Sequence, residues 1–154
     1  MGKEGENVLT KYDLRKYKNI KAEMLELQER INELASIMTV PRIPQLTGMP
    51  GGSHSEHDKI GNAVAKAEAL RSLYFKKLGV LADLQLTIET AIEQLPADDQ
   101  MLIRLYYFSG YTWEQVTVRL GMSWRSVHRR HAAILERLAQ DGTEAETEKA
   151  AAGI

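Results

Sequence analysis

The stretch "YTWEQVTVRLGMSWRSVHRR", residues 111–130, holds four arginines, two tryptophans and a lone glycine between two short apolar patterns. A guanidinium is always charged, and its planar fork of donors matches phosphate oxygens and the O6/N7 edge of guanine. Arg125, Arg129 and Arg130 lie close together, with His128 among them. At helical spacing such a cluster is either the solvated side of an ordinary helix or a surface for an anion and for base edges.

The neighbouring residues decide how the cluster is presented. Thr112 and Gln115 form a T-x-x-Q capping box at the start of one helix, and Gly121 falls where that helix would close. Ser123 caps the next helix. The three-residue turn "GMS" lets two helices meet steeply, and Gly121 supplies the positive φ the turn needs. Val116, Leu120, Val127, Ile134 and Leu138 recur at helical spacing and would share a core with Leu102, Leu105 and Phe108. That phase leaves Trp124, Arg125, His128 and Arg129 on the opposite face, near the helix N-terminus, where a recognition helix meets base edges. Arg130 lies at the side of this face, placed for a phosphate. Thr112, Trp113 and Gln115 open the preceding helix, whose backbone N–H groups can also hold a phosphate. Trp113 itself reads as packing on the neighbouring helix.

Longer elements precede this head. Tyr17, Ile20, Met24, Leu27, Ile31, Leu34 and Met38 alternate steps of three and four, a heptad seam that Pro41 and Pro44 end. "PRIPQLTGMPGGSHS" reads as a loop, and Ser55 as the cap of a second long helix. There Ala67, Leu70, Tyr74, Leu81, Leu84, Ile88, Ala91 and Leu95 form a second seam. Lys77 fills one of its slots, Leu78 is expected to cover the gap, and Gly79 marks a bend. The seams imply an antiparallel hairpin and a surface for self-association. Leu95-Pro96 marks a break, and "ADDQMLIRLYYFSG" reads as a single helix before Thr112.

Bulk properties narrow the classes. The 154 residues carry 20 lysines and arginines against 21 acids, a formal net charge of -1, so the whole chain is not a basic nucleic-acid wrapper. The local balance differs: 95–140 holds 6 basic against 4 acidic residues, and 141–154 holds 1 against 4. No apolar run reaches the roughly 20 residues of a membrane span. Zero cysteine excludes disulfides and thiolate metal sites and fits a reducing cytoplasm. His54 and His57 lack further ligands, and "GMPGG" lacks the Gly-Lys-Ser/Thr of a phosphate loop. Asp98 and Asp99 are adjacent and read as charges at a helix start. No nucleophile–base pair stands out, so no enzyme, metal or cofactor is expected.

"LIRLYYFSGYTWEQVTVRLGMSWRSVHRRHAAILERL" resembles the fourth region of bacterial sigma factors, through "LxxLxYFxG", the following Thr, "EQV", "LGMS", Ser126-Val127, Arg130 and Leu138. Over residues 10–139 the layout is similar to phage and prophage regulators with a sigma-like helix-turn-helix, including late transcriptional regulators of the ArpU and RinA type. Thr117 and Tyr106 depart from the sigma pattern, and no counterpart of the region that reads the −10 element is visible. The resemblance implies promoter or operator DNA as partner, RNA polymerase as a second one, and the cytoplasm of a bacterial host as the location.

The expectation is an all-α chain with three parts. These are a long antiparallel helical hairpin (1–94, loop at about 39–55), a C-terminal three-helix helix-turn-helix head (95–140), and an acidic, disordered tail (141–154). The DNA-binding set is Thr112, Gln115, Ser123, Trp124, Arg125, Ser126, His128, Arg129 and Arg130. One bidentate arginine–guanine contact discriminates by about 1–3 kcal/mol. So small a head needs a second copy or a partner, and the long helices can provide either: a homodimer or higher homo-oligomer with half-sites about 34–36 Å or a multiple apart, or docking on RNA polymerase. The alternative readings are a DNA-packaging adaptor like a small terminase subunit, and a protein-interaction module docking on RNA polymerase.

Overall fold

The computed structural model describes residues 9–39 and 54–152, with side chains at 9–39, 58–141 and 151. All regular structure among these residues is helical: α1 (Lys11–Thr39), α2 (His54–Ile92), α3 (Ala97–Ile103), α4 (Trp113–Leu120) and α5 (Trp124–Ala152). The all-α architecture read from the sequence is the observed one. Residues 40–53, most of the loop expected at about 39–55, and the side chains of His54, Ser55 and His57 lie outside the described residues; α2 starts at His54, so Ser55 is inside the helix it was expected to cap.

A capping box outside the sequence expectations starts α1. The Thr10 backbone N–H donates to Asp13 Oδ2 at 2.9 Å, and the Asp13 N–H donates to Thr10 Oγ1 at 3.3 Å. The pattern is T-x-x-D, close kin of the Thr112–Gln115 signal, and it satisfies donors that a helix start leaves open.

The chain forms two compact units, one of Lys21–Val80 and one that joins residues up to Ile20 to the chain from Leu81 onward. In Lys21–Val80 the seams read from the sequence are buried stripes, with Met24, Leu27 and Ile31 of α1 and Ala67 of α2 buried; Ala63, one turn ahead of the expected seam, is buried as well. Leu70, Tyr74 and Lys77 are half-buried along the same stripe. Leu78 does not cover the Lys77 slot as expected; it remains 41% exposed. Lys77 itself fills the slot and pairs its ammonium with Glu23. A lysine can do so because its methylene stem packs while its charged end reaches the rim. Helix α2 runs unbroken through Gly79.

The other unit holds the head. Leu14 and Tyr17 of α1, Ile88 and Ile92 of α2, Leu102 and Ile103 of α3, Val116 of α4, and Val127, Ile134 and Leu138 of α5 share one core. The predicted packing of Leu84, Ile88 and Ile92 against the head is observed. Burying each such side chain contributes about 1.5–3 kcal/mol. The compact unit therefore begins at Leu81, ahead of the expected boundary at residue 95, and recruits the first turns of α1. The reason is size: 95–140 has too little apolar surface to enclose a core unaided.

"ADDQMLIRLYYFSG" is not one uniform α-helix. α3 passes into a π-helical turn, Arg104–Phe108, where the Ser109 N–H reaches the Arg104 carbonyl at 2.9 Å. Leu102, Ile103, Leu105, Tyr107 and Phe108 are all buried, which is denser than one helical stripe allows. This segment sits centrally, and Phe108 meets Tyr17 at 4.8 Å between ring centroids. At its other end the chain also departs from expectation, because α5 continues to Ala152 where a disordered tail was anticipated. "EAETEKAAA" is rich in strong helix formers, and extending an existing helix requires no new nucleus.

Candidate nucleic-acid interface

Local geometry fixes α4 and α5 in register. The Thr112 N–H donates to Gln115 Oε1 at 2.9 Å, and the Gln115 N–H donates to Thr112 Oγ1 at 3.3 Å, completing the capping box. Gly121 adopts φ 62° and ψ 31°, and the Met122 N–H returns to the Thr117 carbonyl at 3.1 Å. Past the turn, the Ser126 N–H donates to Ser123 Oγ at 3.2 Å, and the Ser123 hydroxyl donates to Ser126 Oγ at 2.9 Å. Val116 and Val127 are fully buried. They lock the two helices together, which fixes where the outward face of α5 points.

On that face Arg125 and Arg129 are exposed, and Trp124 is 53% exposed. Neither arginine is ion-paired among the described residues. Arg130 is placed differently from the expectation of a phosphate-directed side chain. Its guanidinium pairs with Asp99 and, at 3.5 Å, with Asp98, both in the first turn of α3. Met122 Sδ lies 3.8 Å from its Nη1. The adjacent aspartates thus serve both the α3 N-terminus and a clamp on α5.

His128 is half-buried, with ring centroids of Trp113 at 4.7 Å and Trp124 at 4.6 Å. Its Nε2 is buried without a hydrogen-bond partner. Trp113 packs as read from the sequence, stacked on Tyr106 at 3.8 Å with the rings 17° apart. The ammonium of Lys18 stands 3.6 Å from the Tyr106 centroid. His131 turns inward, its Nε2 3.0 Å from the Tyr107 hydroxyl. Burial, with Lys11 and His128 nearby, holds the His131 pKa down at about 4. Burial likewise pushes Tyr107 up to about 12, so it remains the donor in this bond.

Of the nine residues expected to form the interface, the structure brings Ser123, Trp124, Arg125, Ser126, His128, Arg129 and Arg130 together at the start of α5. Thr112 and Gln115 lie at the start of α4 with their side chains engaged on each other. Lys11, Arg15 and Lys18 lie outside the expected set. All three line a cleft beside the helix-turn-helix. The basic run "KYDLRKYK" was the available signal, but only the fold reveals what it packs beside. Among the described residues, no group of acidic and histidine side chains is arranged to hold a metal ion, and no helix is long and apolar enough to cross a membrane.

The sequence of residues 85–138 matches the family model described as sigma-70, region 4. No curated protein and no solved structure matches the chain. The matched segment, about a third of the chain, contains α3, the π-helical turn, α4, the Gly121 turn and the start of α5. Residues 85–138 are thus similar to sigma-70 region 4 in sequence, and within them α4, the Gly121 turn and the start of α5 have the geometry of a helix-turn-helix.

Proposed function

We propose that the protein is a phage-type transcriptional regulator that binds promoter or operator DNA through α4 and α5. The observation that carries this reading is the exposed pair Arg125 and Arg129 on the first turns of α5, without an ion-pair partner among the described residues and within the segment that matches sigma-70 region 4. α5 lies in the major groove, and these two arginines read base edges. Trp124 packs on the DNA surface, with His128 behind it. Ser123 and Ser126 hold the helix start, and the capped N-terminus of α4, with Thr112 and Gln115, lies over a phosphate. Arg130 acts through its clamp on Asp98 and Asp99, setting the angle of α5.

Two contacts from one head are too few for regulatory affinity at physiological salt, where non-specific binding lies at about 10⁻⁴–10⁻⁶ M. A second copy supplies the second head. Leu73 and Val80, seven residues apart on one side of α2, are 42% and 44% exposed, and Phe75 and Leu78 on its other side are 66% and 41% exposed, which supports α2 as a helix with apolar surface left for self-association. RNA polymerase is the further partner.

The test is selection of a cognate duplex from a random pool, followed by binding of Arg125→Ala and Arg129→Ala variants. Each variant should lose about 1–3 kcal/mol on the selected site and relax its preference at one position. Unchanged affinity and preference in both variants would refute the assignment. Solution mass separates a dimeric regulator from a packaging adaptor, for which a large ring is expected.

A further inference from the structure

Beside the helix-turn-helix lies a cleft of about 460 Å³ lined by Lys11, Arg15, Lys18 and Asn19 of α1, with Tyr106, Tyr107, Trp113, His128 and His131 of the head. No carboxylate lines it. Between Lys11 and Ile20, Lys11, Arg15, Lys16 and Lys18 face a single acid, Asp13, whose carboxylate is held by Thr10 in the capping box. Among the described residues, none of the three lining cations is ion-paired. The positive field is felt inside the cleft, where Lys11 helps to keep His131 uncharged. His128 adds an imidazole whose Nε2 lacks a partner.

A concave, acid-free, cation-lined wall beside aromatic rings is complementary to a phosphate group. Two sources could supply it: a nucleic-acid backbone or a free phosphate ester. Continuity favours the backbone. His128 lines the cleft and also packs against Trp124, which belongs to the exposed face of α5. A strand lying against Trp124 and Arg125 is thereby led toward the cleft.

We propose that Lys11, Arg15 and Lys18 make this cleft a phosphate-binding site for the DNA backbone, so that α1, which lies outside the segment matching sigma-70 region 4, extends the DNA footprint. The site rests on the DNA-binding reading above. It contributes affinity without sequence preference, which a head with two reading arginines requires.

The experiment uses the full chain with Lys11→Gln and Arg15→Gln together. Both positions are solvent-exposed, and Lys18 is left in place because it packs on Tyr106. Binding to cognate and random duplexes is followed over a salt series by fluorescence anisotropy. The slope of log affinity against log salt should become shallower by about 1–2, since each neutralised phosphate contributes about 0.9. Affinity should fall by a similar factor on both duplexes, with an unchanged unfolding midpoint. In a second arm, inorganic phosphate and pyrophosphate are titrated against Trp113 fluorescence in a Trp124→Phe background. An unchanged salt slope together with phosphate quenching that the double variant abolishes would overturn the backbone assignment in favour of a free anion. An unchanged slope with no quenching would overturn the site altogether. Loss of all duplex binding by the wild type would instead defeat the DNA-binding reading, and the phosphate arm alone would then decide the site.

Discussion

His131 makes the protein's stability depend on pH in a calculable way. The folded environment lowers its pKa from the ordinary 6.5 to about 4 through burial, Lys11 and His128. The neutral ring accepts the Tyr107 hydroxyl at 3.0 Å. Between these two pKa values the unfolded chain binds a proton that the folded chain does not. Stability is therefore greatest above about pH 6.5 and declines as the pH falls toward 4. Full linkage between pH 7 and pH 5 would amount to about 1.8 kcal/mol, at 1.36 kcal/mol per tenfold change. The ring is only half-buried, so solvent screens part of this, and about 1 kcal/mol is the expected loss. In urea unfolding that corresponds to a midpoint lower by roughly 0.5 M at pH 5 than at pH 7. His131→Gln keeps a polar partner for Tyr107 and removes the titration, so its midpoint should change less by this amount. Taking the difference between the two proteins cancels the contribution of other groups. An equal drop in both, or an NMR titration of His131 centred near 6.5, would refute the reasoning.

Other consequences are simpler to check. Gly121→Ala should destabilise by about 1–2 kcal/mol, because a Cβ at φ 62° is strained even though nothing lies within 4 Å of it; Gly121→Asn should recover part of the thermal midpoint. Ile88→Ala, at a fully buried position linking α2 to the head, should cost about 2–5 kcal/mol in chemical denaturation. Thr112→Ala should cost about 1 kcal/mol by removing the α4 cap, read in the same experiment.

Much of the fold is local in origin, and local origins are what a sequence displays. The heptad steps from Tyr17 to Met38, the Thr112–Gln115 box, Gly121 in its turn and the Ser123 cap each depend on residues within a few positions of one another. So does the outward face of α5, once Val127, Ile134 and Leu138 set its phase. The resemblance to sigma region four lies in the same local pattern and is matched by the family model over 85–138. The Thr10–Asp13 box is equally local, a T-x-x-D pattern legible in the sequence.

What the sequence alone did not determine depends on partners distant along the chain. Arg130 looks free until α3 folds across it and brings Asp98 and Asp99 to its guanidinium. Lys77 occupies its seam slot because Glu23 lies on the facing helix. The π-helical turn follows from burial on several sides, which no helical period encodes. The cleft arises where Lys11, Arg15 and Lys18 meet rings almost a hundred positions away. Charge and shape there are sums over residues that only the tertiary fold makes neighbours. The sequence by itself thus determined the capped helices and the outward face of α5, while the tertiary structure decided which of the charged side chains remain available to a partner.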